Sequence, residues 1–156
     1  MNRYLEELEE LIKTTKPDLY SSMQPGVPDI YMEAEFGPLY EELPNELKAI
    51  WNWHNGQGEG YKGDFHPENH ERLMSVDDSV ETIEIFNDST EIGLLKGNQW
   101  QDDWVPLTLD ASGNHLCVEA KSGKIYYFDR NNNESGLRYA TINDWLEETI
   151  DAYKKL

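Results

Sequence analysis

The apolar residues change period at Trp104, and that change limits the fold more than any other feature of the chain. Upstream they recur at helical spacing; downstream, short runs of strand formers alternate with polar turns. Asn2 is a good N-cap for a first helix that sets Tyr4, Leu5, Leu8, Leu11 and Ile12 on one face and ends before Pro17. Residues 17–28, with three prolines and a glycine, read as loop. Pro28 opens a short helix through Ile30 and Ala34 that stops at Gly37-Pro38. Pro44 suits the first position of the next helix, where Leu47, Ile50, Trp51 and His54 recur and Asn55-Gly56 supplies a left-handed stop. Residues 56–70 read as a glycine-punctuated loop with a short strand around 61–65. Ser75 with Asp78 forms a capping pattern for a helix bearing Val76, Val80 and Ile83.

Past Trp104, segments 104–109, 115–120 and 124–129 are separated by Asp110-Ala111-Ser112-Gly113 and Lys121-Ser122-Gly123, which predicts an antiparallel meander. A further short strand is expected at 137–140. Thr141 and Asp144 cap a closing helix with Ile142, Trp145, Leu146, Thr149, Ile150 and Tyr153 on its apolar face. The expectation is an α+β fold, a largely antiparallel sheet flanked by about four helices, in one domain spanning 1–156.

Charge narrows the function. Acidic residues number 31 against 13 basic ones, a net −18, and the stretch 29–91 alone holds 16 acids and 3 bases. Such a field repels phosphate backbones and anionic lipid, so nucleic acid and membrane surfaces are excluded as direct partners. It attracts a basic protein and speeds the encounter; the plainer reading is solubility alone. No apolar run approaches the ~20 residues of a membrane span. The first residues lack the apolar core of a secretory leader, and the one cysteine, Cys117, fits a reducing compartment, so the expected location is cytoplasmic.

One set of short motifs occurs in a suggestive order. Leu43-Pro44 leads a helix into His54-Asn55-Gly56-Gln57, and Leu73-Met74-Ser75-Val76 opens another. Trp104-Val105-Pro106-Leu107, Asp110, Gly113-Asn114 and Gly123-Lys124-Ile125 follow, and Ala140 precedes the helix with Trp145-Leu146. Over roughly 30–150 this order resembles the SUKH superfamily, which includes the fungal cell-wall-assembly regulator and many bacterial immunity proteins. The resemblance implies a curved, largely antiparallel sheet and a protein-binding scaffold without catalytic residues. It also implies bacterial relatives that act as antidotes to polymorphic toxins, often nucleases. Where the family often carries an aspartate on the strand after Gly113-Asn114, this chain has Glu119.

Catalytic patterns are weak. His54, His66 and His70 lie near one another in sequence with Glu68 and Glu71, but Pro67 argues against a helical histidine pair, and no metal or other cofactor is expected. Gly56-Gln57-Gly58-Glu59-Gly60 follows a helix and lacks the Lys-Ser/Thr of a phosphate loop. Cys117 falls mid-strand, where burial makes it inert. Trp51, Trp104 and Trp145 read as core and Asp110 as a turn acceptor. The chain therefore reads as no enzyme. Its expected partner is a basic toxin domain, with a regulatory scaffold for host signalling or cell-envelope proteins as the alternative. Expected contact residues are Glu41, Glu42, Glu59, Asp64, Asp102 and Asp103, with Trp100 either an exposed aromatic anchor or a core residue.

Overall fold

In the computed structural model, residues 2–58, 60, 63–93 and 99–156 are described; Glu59 falls outside them. Six α-helices among these residues pack with antiparallel strands, so the fold is α+β. In chain order they are α1 (Arg3–Thr15), α2 (Pro17–Ser22), β1 (Met23–Pro25), α3 (Asp29–Phe36), a 3-10 helix (Gly37–Glu42) and α4 (Asn45–Trp53). Then come β2 (His54–Gln57), β3 (Glu71–Leu73), α5 (Val76–Glu91), β4 (Trp104–Pro106), β5 (Thr108–Asp110), β6 (His115–Glu119), β7 (Ile125–Asp129), β8 (Glu134–Tyr139) and α6 (Ile142–Lys154).

The predicted caps hold. Asn2 Oδ1 accepts from the Leu5 N–H at 2.9 Å, Ser75 Oγ from the Asp78 N–H at 3.1 Å and Thr141 Oγ1 from the Asp144 N–H at 3.0 Å. Each meets a backbone donor that the first helical turn leaves without an intrahelical partner. The meander is a four-stranded sheet of order β4-β6-β7-β8, and two-stranded pairs β1-β2 and β3-β5 stand beside it.

Segment 104–109, expected as one strand, divides at Leu107. Pro106 ends β4 opposite Cys117, and Leu107 then joins the two sheets: its N–H donates to the Leu116 carbonyl and its own carbonyl accepts from the Met74 N–H. β5 accordingly turns to pair β3 with Asp110 opposite Glu71. The Ser79 hydroxyl, buried on α5, donates to the Pro106 carbonyl at 2.7 Å and pins that helix to the division point. Trp51, Trp145, Phe65 and Phe128 are fully buried with Leu5, Leu8 and Ile12, and the Trp51 indole N–H donates to the Met74 carbonyl.

Three sequence expectations need correction. Residues 17–28 are not all loop: Pro17 occupies the first turn of α2, and Met23 and Pro25 then pair with Gln57 and His54. That pairing also captures His54, so α4 ends at Trp53 and Gly56 lies in a strand instead of stopping a helix. No strand runs through 63–65 (Tyr61 and Lys62 lie outside the described residues). The pairing nearby is a bridge from His66 to Glu71 at the start of β3.

Gly56 is fixed by two constraints. Its φ is +71°, and a Cβ there would stand 2.5 Å from the Ser75 nitrogen and 2.6 Å from the Met74 carbonyl carbon. Gly56→Ala is therefore expected to destabilise the protein by more than ~2 kcal/mol, read as a lower urea midpoint. An unchanged midpoint would mean that the β2–α5 junction is looser than it looks.

Candidate functional site

α3, the 3-10 helix and α5 carry acids and no lysine or arginine. α5 carries Asp77, Asp78, Glu81, Glu84, Asp88 and Glu91 and no lysine or arginine over its 16 residues. α3 packs against it, and the Tyr31 hydroxyl donates to Asp77 Oδ1 across that contact. α3 adds exposed Asp29, Glu33 and Glu35, and the 3-10 helix adds exposed Glu41 and Glu42.

Two tyrosines on this face report the field. Tyr31 is pushed up to about 12, first by its hydrogen bond to Asp77, then by burial and the charge of Glu35. Tyr40 is also held above the ordinary phenol range, by burial and by Asp29, Glu33 and Glu41 around it. In both, negative charge nearby disfavours a phenolate. Lys48 Nζ sits 4.1 Å from the centre of the Tyr40 ring, a cation held by a π face.

α1 and α6 are acidic too, but their charge is partly met. Lys13 Nζ lies 3.9 Å from Glu9 and 3.7 Å from Glu10, and Lys154 Nζ lies 2.8 Å from Glu7. On α5 the ion pair of Arg72 with Asp78, at 3.4 Å, lies near the helix start.

The expected contact residues do not form one patch. A side chain built on Gly123 would meet Pro44 Cγ at 4.0 Å, and the Ala120 N–H donates to the Asp103 carbonyl. Glu41, Glu42, Asp102 and Asp103 thus collect around the 120–124 turn, which also bears Lys121 and Lys124. Asp64 lies at the other end of the strands, beside Asp110, bonded to His70 Nδ1 at 3.1 Å. Trp100 is only 5% exposed; it packs against Phe86, Trp104 and Phe128, and its indole N–H donates to Asn87. It fills the core, so the exposed-anchor expectation gives way to the alternative already stated.

The three histidines turn to different partners. His54 bonds the Gln24 carbonyl and Glu9, and His70 bonds Asp64. His66, fully buried, accepts the Glu68 and Asn69 N–H groups at Nδ1, so its proton sits on Nε2, 3.5 Å from Glu148. Burial pushes His66 below the ordinary imidazole range. Asp110 Oδ1 accepts the Ser112 and Asn114 N–H groups, which is the turn role expected of it. Glu119 accepts the Ser122 hydroxyl at 2.6 Å. Cys117 is buried, and burial pushes its thiol far up, away from thiolate chemistry.

Two features escaped the sequence reading. Glu71 is 4% exposed, and burial drives its carboxyl up to about 8. A groove of about 330 Å³ also runs beside α5. The sequence signal for the acidic helix was present in its six acids without a base; nothing in local sequence marks the other two.

Among the described residues no helix is long and apolar enough to cross a membrane. A search of curated proteins finds no match to the chain. The model of the SMI1 / KNR4 family (SUKH-1) matches residues 33–148, from α3 into α6 and across every strand of the meander. With the antiparallel meander, the capped α5 and the capped start of α6 inside that span, the chain belongs to the SMI1 / KNR4 family (SUKH-1).

Proposed function

We propose that this chain is a non-catalytic binding module of the immunity type, which neutralises a basic toxin domain inside the cell by docking the face formed by α3, the 3-10 helix and α5. The observation that carries this reading is the charge on α5. Asp88 and Glu91 stand in its last turns, where the helix dipole is negative, and the helix itself carries no basic residue there. Acids there cost about 0.3–1 kcal/mol each, where lysines would stabilise. Solubility alone gives no reason to accept that cost, because acids anywhere on the surface serve it equally.

Carboxylates spaced along a helix stand in for the phosphates that a nuclease cleft binds, and long-range attraction speeds capture. Glu41, Glu42, Asp102 and Asp103 border the face at the 120–124 turn and extend it. Asp64, beyond the far end of the sheet, makes a second and separate contact at most. Glu59 lies outside the described residues.

The test is kinetic. The association rate with a basic toxin domain encoded beside this gene is expected to fall at least tenfold between low and physiological salt, since exposed charges are screened over ~8 Å at the latter. A rate that ignores salt would remove the acidic face from recognition.

A further inference from the structure

Beside α5 lies the groove of about 330 Å³, walled by Ile85 and Phe86 on the helix and by Met74 and Leu109 opposite, with His115 and Arg130 at its other side. Its volume is at the small end of ligand clefts, ~300–1,000 Å³, and matches one large side chain better than an extended ligand. Ile85 is 49% exposed, an apolar residue on a helix whose other exposed positions are mostly acidic.

His115 is the unusual member. It is 4% exposed, and its Nδ1 lies 2.9 Å from the Thr108 carbonyl. A carbonyl only accepts, so Nδ1 carries the proton and Nε2 presents a lone pair. Among the described residues no protein donor meets that nitrogen. Burial and the nearby Arg130 hold the ring below its ordinary range and so keep it neutral. The groove is therefore lined by apolar walls, the neutral His115 ring and two guanidiniums, Arg72 and Arg130, with Glu81 and the Arg72-paired Asp78 on its rim.

We propose that this groove seats one tryptophan or tyrosine side chain of a basic protein partner, its N–H or O–H donating to His115 Nε2 while flanking lysines or arginines pair with the acids of α5. This rests on the acidic-face reading above. An aromatic ring with a polar tip fits what the groove presents, since its apolar body packs on Ile85 and Phe86 and its donor meets the open nitrogen. A cationic occupant is disfavoured by Arg72 and Arg130, and a purely aliphatic one leaves His115 unsatisfied. Buried aromatics surrounded by charged rims are the usual energetic centres of protein interfaces.

The probes are three capped peptides, Lys-Lys-Trp-Lys-Lys and its counterparts with leucine or alanine at the centre, titrated calorimetrically at low ionic strength. The tryptophan peptide is expected to bind about tenfold tighter than the alanine one, which corresponds to ~1.4 kcal/mol. Thr82→Trp, which plugs the groove from α5, is expected to abolish that advantage and leave the alanine peptide unchanged. Ile85→Ser, at an exposed position that does not threaten folding, is expected to reduce it. Equal, salt-sensitive binding of all three peptides overturns the groove and leaves the acidic face standing. Leucine matching tryptophan overturns the role of His115. Failure of every peptide to bind removes both readings. A dimer of the free protein that Thr82→Trp dissociates gives the groove to a second copy and overturns the proposal.

Discussion

Glu71→Gln is expected to raise the urea midpoint of the protein at pH 8 and to leave it nearly unchanged at pH 5. Glu71 opens β3, is 4% exposed, and keeps one carboxyl oxygen without a hydrogen-bond partner among the described residues. Burial pushes its carboxyl up to about 8 from an ordinary 4.5, Arg138 on β8 opposes the rise, and Asp110 on β5 and Glu148 on α6 add to it. Between those two values the folded protein holds a proton that the unfolded chain has released. Stability from this group is therefore complete below about 4.5 and is lost as pH rises toward 8.

His66 and His115 act with the opposite sign. Both are held below the ordinary imidazole range by burial, so their contribution is present above about 6.5 and lost as pH falls below it. The interval from about 7.5 to 8 isolates Glu71 from these two histidines, because there both are largely neutral in the folded and the unfolded state. A neutral amide of the same shape removes the proton linkage and is expected to gain on the order of 3 kcal/mol at pH 8. Parallel pH profiles for the two proteins would show that Glu71 reaches solvent and ionises freely.

The comparison of sequence and structure separates two kinds of signal. Local chemistry announced itself: Ser75 and Thr141 cap α5 and α6, Asp110 closes its turn, and the 115–120 and 124–129 runs became adjacent strands. What failed was non-local. β1 is three residues long and exists because β2 reaches it, and β3 because β5 turns away from β4 at Leu107. Pro25 favoured a loop reading that pairing across about 30 residues overrode. Trp100 shows the same limit at the candidate site: an aromatic beside Asp102 and Asp103 reads equally as anchor or core, and only packing against Phe86 and Phe128 decides. The groove needs α5, β5 and the 110–114 turn to meet, and no stretch of sequence contains all three.

Whether the acidity recognises or merely solubilises is decided by changing the same amount of charge in two different places. Glu33→Lys, Glu84→Lys and Asp88→Lys together add six positive units to the face of α3 and α5, outside the groove. Glu6→Lys, Glu10→Lys and Glu147→Lys add the same six to α1 and α6 at positions that are also exposed. If net charge alone mattered, both triple variants would slow capture of the proposed basic partner alike. Steering by a localised field predicts instead a fall of about 100-fold in association rate for the first and less than about threefold for the second, with dissociation rates changed less than association rates. Exposed ion pairs are worth ~1 kcal/mol or less, so losing the contacts of Lys13 with Glu10 leaves the control folded. The first variant should even be slightly more stable, since Asp88→Lys reverses an unfavourable charge near the end of the α5 dipole. A protein that gains stability while losing capture separates the two roles of its charge in one pair of measurements. Slowing in neither variant would return the acidity of this chain to solubility, and equal slowing would give steering to net charge and not to the α3–α5 face.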